Sequence, residues 1–170
     1  GAFTVDAGGN ISFTSATGSG DISMNAAGTV SGGDLSAANA LTAAAARIAV
    51  ADASAANIAM TSGSDILFNS LTSPDAISLT ADSGAIGRNT GAGSVNSGGN
   101  IDLTARTLNL GNLTSAGSVT AAATAGDAGF GTVNAANAIT ITATGTPVLA
   151  TAVSGGSTSI TGASVTLNTG

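Results

Sequence analysis

The pattern Ile-x-apolar-Thr returns five times, as ISFT at Ile11, IAMT at Ile58, ISLT at Ile77, IDLT at Ile101 and ITIT at Ile139. In an extended chain alternate side chains point to opposite faces, so each copy is a short strand with one apolar face and one polar or small face. A unit this small cannot bury its apolar side alone. Copies laid on one another at a near-constant period can, and this constrains the chain to an elongated stack of coils.

The period can be measured. Main strand starts at Ile22, Leu41, Ile58, Ile77, Ile101, Val119, Ile139 and Ile160 are separated by 19, 17, 19, 24, 18, 20 and 21 residues. A second series lies between them at Ile48, Ile66, Ile86 and Leu108, so each rung holds at least two strands. An antiparallel sandwich would carry hairpin turns such as Asn-Gly or Asp-Gly, and the chain has neither. The expectation is an all-β parallel β-helix (β-solenoid) with 18–20 residues per rung and eight rungs. At about 4.8 Å per rung, such a rod is on the order of 40 Å long.

Pairs of apolar residues two apart give the buried face: Ile11/Phe13, Ile22/Met24, Ile48/Val50, Ile58/Met60 and Ile66/Phe68. Ile77/Leu79, Ile101/Leu103, Leu108/Leu110, Ile139/Ile141 and Val165/Leu167 continue the set. The stretch Ser36 to Met60 is rich in Ala, and Leu41, Ala44, Ala45 and Ile48 would also line one face of a helix. Its spacing from Leu41 through Ile48 to Ile58 nevertheless copies Ile101 through Leu108 to Val119. That second stretch contains Gly111 and Gly117, which are poor helix residues, so both read as strand. Ser83 to Gly99 reads as a rung with a glycine-rich bulge or an outward loop, and Ala125 to Thr132 as a shorter insert that widens the next rung.

Asn or Asp precedes many starts, at Asn10, Asp21, Asp34, Asn39, Asn57, Asp65, Asp75, Asn100 and Asn137. Such residues hold turns by bonding their own backbone two residues on, and stacked amides can also bond along a rod axis. The series Asp21, Asn39, Asn57, Asp75 keeps a spacing of 18 residues. Stacked carboxylates could instead bind calcium, but half of this series is Asn and no calcium-binding nonapeptide is present.

Composition removes most chemistry. The chain lacks His, Cys, Lys, Glu, Gln, Tyr and Trp, which leaves Asp, Ser and Thr to act as acids, bases or nucleophiles. The nine Asp residues are spread at rung intervals instead of gathered in a cleft, so no catalytic, cofactor-binding or metal-binding residue is assigned and an enzyme is not expected. A net charge of −6, with only Arg47, Arg88 and Arg106 as cations, excludes a phosphate-neutralising patch and hence nucleic acid. No apolar run approaches the roughly 18 residues that cross a bilayer, so membrane insertion is not expected.

Two surface features remain. Thr14, Thr61, Thr80, Thr104 and Thr142 suggest an outward threonine column of the kind that binds ice. The neighbouring column Ser12, Ala59, Ser78, Asp102 and Thr140 supplies a second threonine only in ITIT, and the β propensity of Thr accounts for the rest. All charged residues precede Ala128, so residues 128–170 lack the usual guard against edge or lateral pairing. This end is expected to pack against another rod or further rungs.

SGGNIDLTARTLNLGNLTSAGSVTAAA, from Ser97 to Ala123, and TADSGAIG, from Thr80 to Gly87, resemble the repeats of filamentous haemagglutinin-like adhesins exported by two-partner secretion. The likeness of repeat style extends over nearly the whole chain, and autotransporter passengers share it. The resemblance implies a right-handed parallel β-helix that crosses an outer-membrane transporter unfolded and forms an extracellular shaft at the bacterial surface. The amino-terminal secretion domain with its NPNL-type motif is not recognisable, so residues 1–170 are expected to be one interior β-solenoid segment of a longer fibrous protein. The function expected is a rigid spacer in adhesion or biofilm. The alternative is a rod whose own surface binds carbohydrate or a cell-surface receptor, or self-associates into a matrix filament.

Overall fold

The computed structural model describes residues 1–167, and every regular element among them is a β-strand. All strand pairings are parallel, and each joins a strand to one in the next turn of the chain. The molecule is a β-solenoid with about 19 residues per turn and about 8 turns.

Each turn has three sheet faces. On the first face, Phe3, Ile22, Leu41, Ile58, Ile77, Ile101, Val119, Ile139 and Thr158 stack in one register. The second face stacks Ile11, Val30, Ile48, Ile66, Ile86, Leu108, Ala128 and Pro147. The third stacks Ala16, Leu35, Ala53, Leu71, Val95, Leu113, Val133 and Ala152. Seven of the expected starts, Ile22 to Ile139, therefore share one column, and Ile48, Ile66, Ile86 and Leu108 share another. Residues 40–49 and 57–62 are strand, as their shared spacing predicts.

The core is one cluster of buried side chains running along the axis between the three faces. Alternation along Ile101–Ala105 is typical: Ile101, Leu103 and Ala105 are buried while Asp102 and Thr104 face solvent. Inward positions narrow toward the end of the first face, where Ala26, Ala81, Ala105, Ala123 and Ala143 occupy one column with Ser62. Small side chains there let the chain turn the corner close to its neighbours, which explains a hydrophobic content dominated by Ala.

Four expectations need correction. ISFT at Ile11 belongs to the second face, opposite Val30, so Thr14 and Ser12 do not lie in the outward columns of the other four copies. The last rung of the first face begins at Thr158 rather than Ile160, because Ile160 stacks on Ile141, the second inward position. Val165 is 46% exposed and does not extend the buried set, while the side chain of Leu167 lies outside the described residues. The Asp21, Asn39, Asn57, Asp75 spacing crosses register: Asp21 and Asn57 lie in the position before the first-face start, and Asn39 and Asp75 lie one residue earlier.

The long rung follows its sequence reading. Strands Ala85–Arg88 and Ser94–Ser97 flank a loop in which Gly93 adopts φ of 65°, a left-handed conformation that suits Gly. The Asn69 carboxamide oxygen receives the N–H groups of Thr90 and Gly91 at 2.9 and 2.7 Å and thereby fixes this loop.

Candidate functional site

Of the polar residues singled out in the sequence, Asn10, Asp21, Asn57, Asp65 and Asn100 act along the rod, and Asn112 and Asp127, which the sequence reading did not name, join them. Asn10, Asp21, Asn57, Asp65, Asn100, Asn112 and Asp127 each use Oδ1 to accept a backbone N–H from the turn above. The donors are Thr29, Ala40, Ala76, Ala85, Ser118, Thr132 and Thr146, at 2.7 to 3.4 Å. The stacking half of the sequence reading thus holds for Asn10, Asp21, Asn57, Asp65 and Asn100 but not for Asp34, Asn39 and Asn137, whose side chains make no such bond among the described residues, and the bonds do not run to the residue's own backbone two positions on. Asp and Asn alternate freely because the N–H needs only an oxygen, and both supply one. Direct side-chain pairs add to the ladder, with Asn25 donating to Asp6 and Asn57 to Asp75.

A second device was missed in the sequence. Ser73, Ser97 and Ser115 are buried where the third face turns into the next rung. Their hydroxyls donate to the Ala56, Asp75 and Gly99 carbonyls of the turn below at 2.6, 2.6 and 2.7 Å. Each also accepts the N–H of the residue two further on, namely Asp75, Gly99 and Gly117. One hydroxyl thereby ties two turns and one corner, and no buried side-chain polar atom among the described residues lacks a partner. The available signal was apolar-polar-small before a turn: LTS at Leu71 and Leu113, and VNS at Val95.

Little reactive geometry remains. Among the described residues no three His, Cys, Asp or Glu side chains gather closely enough to hold a metal ion. Asp102 sits outward between Ser78 and Thr120, and Arg47 forms an exposed 3.8 Å pair with Asp65, a contact worth little in water. The Arg88 guanidinium donates to the Leu110 carbonyl at 3.1 Å and closes the flank of the long loop. The first-face outward columns read Thr4, Ser23, Thr42, Ala59, Ser78, Asp102, Thr120, Thr140, Ser159 and Asp6, Asn25, Ala44, Thr61, Thr80, Thr104, Ala122, Thr142, Thr161. Paired threonines on one rung occur at Thr140 and Thr142 alone, so no repeating lattice is displayed.

If the Asx ladder serves the backbone, cation supply should not affect it. Addition of millimolar calcium, or of a chelator, is expected to leave the thermal midpoint unchanged; a rise with calcium would restore the cation reading. Asn112→Asp keeps the acceptor and should be nearly neutral. Asn112→Ala removes it and should cost about 0.5–1.5 kcal/mol in denaturant unfolding.

Comparison of the chain with protein-family models, curated proteins and solved structures finds no match.

Proposed function

We propose that this chain is part of the shaft of a secreted bacterial adhesin or extracellular filament, a stiff spacer in cell adhesion or biofilm. One observation supports the reading above others: three apolar columns continue in register from turn to turn, with the interstrand bonds and the Asx ladder directed along the axis. A pull on the ends of such a rod is shared at each turn-to-turn interface by the bonds of three faces acting in parallel, together with the packing of a continuous core. On this reading the chain reaches the cell surface through an outer-membrane transporter while unfolded, a route suited by small side chains and the absence of disulfides.

A passive spacer has no ligand on its sides. The purified segment is therefore expected to give background signal on a glycan array, and saturable binding to one glycan class would replace the spacer with a carbohydrate-binding rod. A second reading, lateral association, is favoured by the uncharged upper part of the first face, where Thr120, Thr140, Thr142, Ser159 and Thr161 face outward. Thr140→Asp with Thr142→Arg should shift sedimentation toward single rods if sides pair there; an unchanged profile counts against it.

A further inference from the structure

One corner of the rod carries a charge on every turn through its middle. Between the first and second faces stand Arg47, Asp65, Asp82, Arg106 and Asp127, on the successive turns whose second-face starts Ile48, Ile66, Ile86, Leu108 and Ala128 stack in register. Arg47, Asp65 and Asp127 immediately precede those starts, while Asp82 and Arg106 immediately follow the first-face ends Ala81 and Ala105. Each of these turns has a neighbour above and below, and the ridge covers about 19 Å of the axis. Asp82, Arg106 and Asp127 are exposed, and Arg47 and Asp65 are half-buried. Within one chain the ridge is poorly matched. Among the described residues only Arg47 and Asp65 pair, at 3.8 Å, and Arg106 has no carboxylate within 4 Å.

We infer that this corner pairs with the same corner of a second copy of the chain lying antiparallel to it. Along the axis the signs run plus, minus, minus, plus, minus, and inverting that order about Asp82 sets Arg47 against Asp127 and Asp65 against Arg106. Asp82 alone meets its like. A parallel partner in register opposes like charges throughout, and one shifted by a turn leaves Asp65 against Asp82. The antiparallel contact uses one patch on both copies, so each opposite pair forms twice and the assembly closes as a twofold dimer. Beside the ridge, the outward second-face positions Ala49, Leu67, Gly87, Asn109 and Gly129 are uncharged and mostly small, which lets two rods approach closely. The net charge of −6 on each chain opposes association at long range. At about 0.1 M salt, screening confines that repulsion to about 10 Å, and the ridge charges decide the contact. Exposed ion pairs are individually weak, so the dimer is reversible. Its surface differs from the neutral upper part of the first face, and the pairing does not depend on the spacer reading.

The absence of cysteine makes the test direct. Ala46 and Ala125 are exposed on the same corner, at the two limits of the ridge. In the 170-residue chain at about 0.1 M salt, a mixture of Ala46→Cys and Ala125→Cys should give oxidant-dependent mixed dimers. Either variant alone should stay monomeric, because its two cysteines would lie about 19 Å apart across the twofold. Dimers from Ala46→Cys alone would establish a parallel contact, and absence of dimers from the mixture would establish no contact through this corner; each overturns the proposal. Arg106→Asp, carried by both chains of the mixture, should reduce the dimer yield about tenfold, and Asp82→Asn should raise it about threefold by removing the like-charge contact. Yields that ignore both substitutions would show that the ridge does not hold the dimer, and would also overturn the proposal. Unchanged far-ultraviolet circular dichroism would show that each variant remains folded.

Discussion

Ile101→Ala is expected to lower unfolding free energy by about 2–5 kcal/mol, whereas Asp102→Ala, one residue along, should leave the denaturation midpoint where it was. Ile101 has no exposed surface and lies between Ile77 and Val119 in the first-face column, while Asp102 points to solvent between Ser78 and Thr120. Truncating Ile101 removes contacts on both sides, and in a stack each rung is stabilised mainly by its neighbours. The loss should therefore be read as weakened coupling of the rungs above and below. Urea titration followed by circular dichroism measures both variants, and equal effects would mean that the alternation of this strand is wrong.

Gly98→Ala should be nearly as damaging, by about 1–3 kcal/mol, for the opposite reason of too much volume. A Cβ at Gly98 would meet the Pro74 carbonyl oxygen and lie 2.8 Å from the Pro74 carbonyl carbon. Those atoms are backbone of the turn below, so they cannot rotate away as a flexible side chain would. The Gly98 N–H also donates to the Ser73 carbonyl at 2.8 Å, which holds the two turns together where the extra methyl would separate them. Gly8→Ala is the control: its Cβ would have nothing within 4 Å, and its φ is not in the left-handed region. That change should stabilise slightly, by about 0.4–1 kcal/mol, by restricting the unfolded chain. Thermal midpoints moving in opposite directions for the two variants are the expected outcome.

The first and second faces were legible because Ile22 through Ile139 and Ile48 through Leu108 announce themselves with bulky β-branched or Leu side chains at a coil period. The third face was not, since Ala16, Ala53 and Ala152 alternate there with Leu35, Leu71 and Val95, and Ala marks no strand by itself. The last start was misplaced by two residues because Ile160 fits either inward position of a period-two pattern; only pairing with Ile141 decides. The Asx residues were recognised as corner residues, but their donors lie a whole turn away in sequence, beyond any local motif. Ser73, Ser97 and Ser115 were hidden for the same reason. What the rod holds or meets is written in surface chemistry, and this surface alternates small polar groups with few charges.

The central claim is that successive turns lie directly above one another in parallel register. It is tested most directly by spin labels on cysteine pairs in this otherwise cysteine-free chain. Thr61, Thr80, Thr104, Ala122 and Thr142 share one outward column. Labels at Thr80 and Thr104 should be separated by one rung, about 5 Å between backbones, and labels at Thr61 and Thr142 by four rungs, about 19 Å. Strong dipolar broadening for the first pair together with a resolved longer distance for the second is the predicted result. A first pair as far apart as the second, or both pairs equally close, would contradict the stacked coil.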